Sequence, residues 1–184
     1  MRTILATAAL TITLVICPGA LMAESASKLT FTMSATGFVD ATPITPQDLD
    51  KLLRSRRKVL LFDSRERTEF AVSHIPRAAR LDPAVDTNVL VGRVRRRAKG
   101  TVFVFYCTSM ARSSTIAEWA AEDLKAHGAE AVYVLVKGII GWANAGLPLV
   151  DKRGPTMFVH PFDKSMTKHL KRSDLARFEP PAER

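Results

Sequence analysis

Cys107 sits at the seam between two stretches of opposite character. Before it runs Val102-Phe103-Val104-Phe105-Tyr106, an apolar segment with the composition of a buried strand. After it come Thr108-Ser109-Met110-Ala111-Arg112, and from Ser113 the residues turn helical, with Ala117, Glu118, Trp119, Ala120 and Ala121. A strand, a short loop opening on a cysteine and then a helix bring the loop against the first backbone N–H groups of that helix. Those groups have no intrahelical acceptor and favour an anion. A thiol in such a place leans toward its thiolate, the nucleophilic form. Arg112 adds a fixed positive charge and a planar fork of donors on the same loop. The chemistry on offer is that of a sulfur nucleophile in an anion cradle. The plain alternative is a small buried hydrophobe that closes a core strand.

Cysteine usage weighs between the two. Arg2, the uncharged apolar run from Ile4 to Ile16, the breakers Pro18 and Gly19, and Ala23 before Glu24 have the layout of a secretory signal peptide over residues 1–23. The run is shorter than the roughly 20 residues that a membrane span needs, so membrane contact is expected only through the uncleaved signal segment. The expected location is outside the cytoplasm, in a periplasm. Cys17 leaves with the segment, and Cys107 then remains as the single thiol, unable to form an internal disulfide. A lone thiol in an oxidising compartment reads as reactive.

The elements that must position this loop can be traced along the chain. Residues 24–42 form a polar extension in which Leu29, Phe31 and Met33 alternate as a short edge strand would. Thr45-Pro46 starts a helix with Leu49, Leu52 and Leu53 on one face, closed by Arg54, Arg56, Arg57 and Lys58. Val59-Leu60-Leu61-Phe62 reads as a strand covered on both faces. It ends in Asp63-Ser64-Arg65, at the strand edge where ligands of open α/β sheets gather. A short helix over Thr68–Val72, a turn at His74-Ile75-Pro76 and a brief strand at Ala79-Arg80-Leu81 follow. A helix over Asn88–Arg97 leads into the strand before Cys107. The helix from Ser113 runs to His127 and stops at Gly128. Ala131 to Val136 is a further strand, and Ile140 to Ala145 a last short helix with Trp142.

Strands alternating with helices at this spacing make the fold class α/β, an open and mostly parallel sheet with helices on both faces, in one domain over residues 43–150. Residues 151–184 form a basic C-terminal extension punctuated by Pro155, Pro161, Pro180 and Pro181. Its Phe158, Met166, Leu170, Leu175 and Phe178 either pack along the domain or leave the segment partly disordered.

The 184 residues carry a formal charge of +9 and a pI near 10.0. That surface serves either general solvation and solubility, or the attraction of small anions or an acidic protein partner. Nucleic acid is excluded as a partner, because Arg93, Arg95, Arg96, Arg97 and Lys99 have no interleaved aromatics. His127, His160 and His169 lack ligand-like spacing, so no metal is expected, and nothing calls for a cofactor.

Taken in order, these pieces resemble the rhodanese-like family of sulfurtransferases over about residues 43 to 150. The residues that carry the resemblance are Asp63 and Arg65, Glu69 and Phe70, His74-Ile75-Pro76 with Ala78, the loop from Cys107 to Ser113, Gly138, Trp142, and Ala145 to Pro148. The resemblance implies a rhodanese-like fold and a thiosulfate-type sulfurtransferase without a cofactor. Cys107 would take a sulfane sulfur from a small anionic donor, hold it as a persulfide within Thr108, Ser109, Met110, Ala111, Arg112 and Ser113, and pass it to a thiophilic acceptor, which can be a protein. Asp63 and Arg65 would form an ion pair under the loop, and Glu69 would pair with Arg112. Related phosphatases place five residues between the cysteine and the arginine; here four do, a ring better suited to one sulfur than to phosphate. Three positions depart from the family pattern: Thr108 stands where a basic residue is common, and Met110 and Arg77 stand where glycine is common. Two rival readings remain: a non-catalytic module that carries a persulfide or docks a partner, and a phosphatase or arsenate-reductase-like enzyme.

Overall fold

A computed structural model describes residues 41–182. The signal segment 1–23, the alternating Leu29, Phe31 and Met33, and residues 183–184 lie outside the described residues. Thr42–Ile44 forms β1, which crosses the domain boundary expected at residue 43. Thr45 caps α1 (Pro46–Arg54), its side chain accepting the Asp48 N–H, with Pro46 at the first position. There follow β2 (Lys58–Asp63), α2 (Arg67–Val72), β3 (Ala79–Arg80) and α3 (Thr87–Val94), which tightens into a 3-10 turn at Arg95–Arg97. Then come β4 (Thr101–Tyr106), α4 (Ala111–Ala126), β5 (Ala131–Leu135) and α5 (Gly138–Asn144).

Five parallel strands lie in the order β1-β5-β4-β2-β3. β4 is central, and all six of its residues are buried. Its side chains alternate between two cores, as the period of a strand requires. Phe103 and Phe105 face α3 and α4, meeting Leu90, Val94, Ala117, Ala120 and Leu124. Val102, Val104 and Tyr106 face α1 and α5, meeting Leu49, Leu52, Ile139 and Trp142. The chain leaves β2 toward one edge of the sheet and leaves β4 toward the other. That divergence opens a crevice at the carboxyl ends of these neighbouring strands, and Asp63 and Cys107 lie there.

The C-terminal extension is ordered against the domain. β6 (Leu149–Asp151) and β7 (Gly154–Thr156) form an antiparallel hairpin, followed by 3-10 turns at Lys164–His169 and Ser173–Leu175. Val159 is fully buried and Leu170 is 7% exposed, both in the core shared with α1 and α5. Phe158, Met166 and Leu175 are half-buried and Phe178 is exposed, so packing rather than disorder describes this segment.

Candidate active site

β4 ends at Tyr106 and α4 begins at Ala111, two residues earlier than the sequence suggests, leaving Cys107 to Met110 as the turn. The turn is tied from below by α5. Ile139 N–H donates to Cys107 O at 2.9 Å and Ile140 N–H to Thr108 O at 3.3 Å. In a trans peptide the carbonyl and the following N–H point in opposite directions. Fixing these two carbonyls on α5 therefore aims the N–H groups of Thr108 and Ser109 away from α5. Met110 O is likewise engaged by the Ser114 N–H and by the hydroxyls of Ser113 and Ser114, each at 2.9 Å. This aims the Ala111 N–H out of the helix end.

Close approach makes this arrangement possible. A Cβ on Gly138 would lie 2.3 Å from Cys107 O and 2.7 Å from the carbonyl of Thr108. Met110 sits at φ 142°, and Arg77 at φ 71°. Both positions, where the family pattern commonly has glycine, adopt the left-handed half of the map, at a cost of about 1–3 kcal/mol for such a residue.

Cys107 is 1% exposed. Its Sγ lies 3.6 Å from Ser113 Oγ on the helix side. Thr108 is buried, donates to Glu69 Oε1 at 2.7 Å and accepts from Arg112 Nη2 at 2.9 Å. Arg112 in turn forks onto Glu69, Nη1 to Oε2 at 2.8 Å and Nη2 to Oε1 at 3.0 Å. Burial pushes the Glu69 carboxyl up, but the donors from Arg112, Thr108 and the Glu66 N–H outweigh it and hold the group below the usual carboxylate range. Burial opposes the Arg112 charge, yet Glu69 and the Cys107 sulfur keep it firmly protonated. Ser109 and Ala111 are exposed at the rim.

Asp63 and Arg65 form a fully buried pair beneath the crevice. Arg65 Nε donates to Asp63 Oδ1 at 2.9 Å, and its Nη2 to Asp63 Oδ2 and to Ser73 O, both at 2.6 Å. Burial opposes the Arg65 charge, but Asp63 more than compensates and drives its pKa upward. Tyr106 accepts the buried Ile75 N–H at 3.1 Å. His74 stacks on Phe70 with centroids 3.8 Å apart, a structural turn residue, and Trp142 is buried with its indole N–H on Pro148 O at 2.8 Å.

The C-terminal extension reaches this site, which the sequence did not reveal. The Phe162 ring lies 5.0 Å from the Arg112 guanidinium carbon, and Phe162 itself has φ 80°. Its N–H donates to Nδ1 of the buried His160 at 3.1 Å. Burial lowers the His160 pKa, with Glu69 pulling the other way. The pinning role of Gly138 and of the α5 N–H groups also went unread, since only tertiary contact gives those residues a partner.

A family model described as a Rhodanese-like domain matches residues 45–145. An uncharacterized protein of Synechocystis sp. is 34% identical over 115 residues, 60% of this chain and 56% of that relative's length. The chain is also similar to a solved thiosulfate sulfurtransferase from Pseudomonas aeruginosa, at 24% identity and a TM-score of 0.47 over 77% of this chain and 23% of that one. A rhodanese-like domain protein from Staphylococcus aureus aligns at 25% identity and a TM-score of 0.41, covering 55% and 90%. A Rhodopseudomonas palustris protein of unknown function, described as a possible tyrosine phosphatase, aligns at 23% and 0.48, covering 59% and 83%. With the matched region spanning more than half its length, from the cap of α1 to the end of α5, this chain belongs to the rhodanese-like domain family.

Proposed function

We propose that the protein is a sulfurtransferase in which Cys107 carries a sulfane sulfur as a persulfide. The observation that carries this reading is the pinning of the Cys107 and Thr108 carbonyls on α5, which turns the next two N–H groups away from α5. A four-residue turn of that kind suits one anionic sulfur. The Cys107 thiolate attacks the outer sulfur of thiosulfate, forming a new S–S bond while sulfite departs with the electron pair of the old one. The terminal persulfide sulfur is then held by loop N–H groups, the α4 dipole and Arg112. A thiophilic acceptor, small or protein-borne, attacks that sulfur and regenerates the thiolate. Asp63, Arg65 and Glu69 hold the loop floor and Arg112 in place without touching the reacting atoms. Export to a periplasm through residues 1–23 belongs to the same proposal.

The test is intact-protein mass spectrometry after thiosulfate treatment, wild type beside Cys107→Ser. Wild type gains one sulfur atom, mapped to Cys107, and the variant gains none. An unmodified wild-type protein would overturn the reading. Hydrolysis of an aryl phosphate by that unmodified protein would redirect it to phosphatase chemistry.

A further inference from the structure

The end of the sheet opposite Cys107 carries a second concavity, of about 600 Å³, where β2 and β4 begin side by side. Arg57, Lys58, Arg77, Arg96 and Arg97 line it, and no acidic residue does. Arg57 turns onto Glu130 and is partly neutralised there. Lys58, Arg96 and Arg97 have no ion-pair partner among the described residues. Like charges around one hollow repel one another, and an anion between them relieves that repulsion. The turn that bears Arg96 and Arg97 is fastened to the start of β4. The Thr101 hydroxyl donates to Arg97 O at 2.5 Å, and the Thr101 N–H to Ala98 O at 2.8 Å.

Arg77 is the second observation. It stands where the family pattern commonly has glycine, and it holds φ 71°, a conformation that glycine reaches at the least cost. Its Nη1 donates to Leu53 O at 2.8 Å, a carbonyl in the last turn of α1, where intrahelical donors run out. One corner of the guanidinium is thereby fixed at the edge of the cavity. The chain accepts backbone strain at this position and gains a positioned cation, and strain of this kind accompanies functional sites. That cation is this chain's departure from the family pattern.

We propose that this cavity binds a compact anion with two or more phosphate groups, either free in solution or as a lipid headgroup. Guanidinium forks meet two phosphate oxygens at once. Three cations without counter-charge, with Arg77 beside them, match several negative charges held in a small space. A lone carboxylate answers only one of them. The volume lies within the range of small-molecule sites, about 300–1,000 Å³. The site is at the far end of β4 from Cys107, so it stands apart from the sulfur-transfer reading.

The test uses the full-length Cys107→Ser protein at about 0.15 M salt, where a Debye length of about 8 Å screens charges outside the cavity. In calorimetric titrations tripolyphosphate should bind at least about fivefold more tightly than citrate, the scale of one partly exposed charge pair. Arg96→Ser combined with Arg97→Ser should weaken tripolyphosphate binding by at least about the same factor. Lys164→Ser combined with Lys168→Ser removes equal charge from the exposed turn of the extension and should leave binding unchanged. Arg77→Gly should weaken binding while holding or raising the melting temperature, because glycine suits the left-handed backbone; a merely structural Arg77 gives the reverse. Sedimentation with phosphatidylcholine vesicles, with and without cardiolipin, identifies the source. Capture by cardiolipin that the paired arginine variant abolishes assigns a lipid headgroup, and tripolyphosphate binding without capture assigns the free anion. Equal affinity for citrate, an equal loss in the arginine and lysine pairs, or no binding to either tripolyphosphate or cardiolipin vesicles overturns the site.

Discussion

Glu69 accepts four hydrogen bonds: two from Arg112, one from Thr108 and one from the N–H of Glu66. It thus closes the first turn of α2, holds Arg112 beside Cys107 and fixes the first loop residue, three tasks for one carboxylate. Hydrogen bonds to a charged group contribute about 1.5–3 kcal/mol each way, so Glu69→Gln should destabilise the protein by about that much at neutral pH. The sign of the pH dependence follows from the depressed carboxyl. Its stabilisation is fully present above the unfolded-state value, about pH 4.3, and is lost as pH falls through the lower folded-state value. Urea midpoints of wild type and Glu69→Gln should therefore lie apart at pH 7 and converge below about pH 4. A gap that stayed constant with pH would mean that shape, not charge, is what Glu69 contributes. Neighbouring residues show where strain is tolerated: Met110 and Arg77 keep left-handed backbone without being glycine. The loop holds this conformation because Met110 O is fastened by three donors from α4.

α5 is the element on which the loop rests, and Gly138 is the residue that lets it approach. Gly138→Ala would drive a Cβ into Cys107 O and would also burden a φ of +51°. The expected cost is about 2–4 kcal/mol from overpacking and left-handed strain together, with the loop displaced and sulfur loading of Cys107 lost. Gly92 in α3 is the control: nothing lies near its Cβ position, so Gly92→Ala should stabilise by up to about 1 kcal/mol and leave loading intact. Thermal melts and thiosulfate labelling of the two variants check both outcomes. The contrast also marks what a sequence can and cannot convey. β2, β4 and β5 were legible because each is a continuous apolar run bounded by polar residues or glycine, and α1 because Thr45-Pro46 is a local start signal. The pairing of Glu69 with Arg112 was legible only through family resemblance, since 43 residues separate them. β1 was missed because three residues, two of them exposed, carry no pattern until β5 pairs with them. The placement of Phe162 over Arg112 was missed for the same reason, as nothing local aims the extension at the crevice.

For the whole molecule the open question is which part of the +9 charge steers an anionic donor to Cys107. Arg57, Lys58, Arg77, Arg96 and Arg97 surround a cavity of about 600 Å³ where β2 and β4 begin. Cys107 follows the other end of β4, and six strand residues at about 3.3 Å each put roughly 17–20 Å between the two. The Debye length is about 8 Å at 0.15 M ionic strength and about 30 Å at 0.01 M. The far basic cluster should therefore act on the donor only in dilute salt. Arg112, paired with Glu69, adds little net charge, which leaves Lys137 and the cationic extension as the near field. The second-order rate of thiosulfate loading should fall several-fold between 0.01 M and 0.15 M salt, whereas alkylation of Cys107 by neutral iodoacetamide should barely change. Replacing Arg96 and Arg97 together by serine should slow thiosulfate loading at 0.01 M and leave it unchanged at 0.15 M. An equal slowing at both salt concentrations would show that the two arginines act through the fold rather than through their field, and a salt dependence shared by iodoacetamide would remove steering altogether.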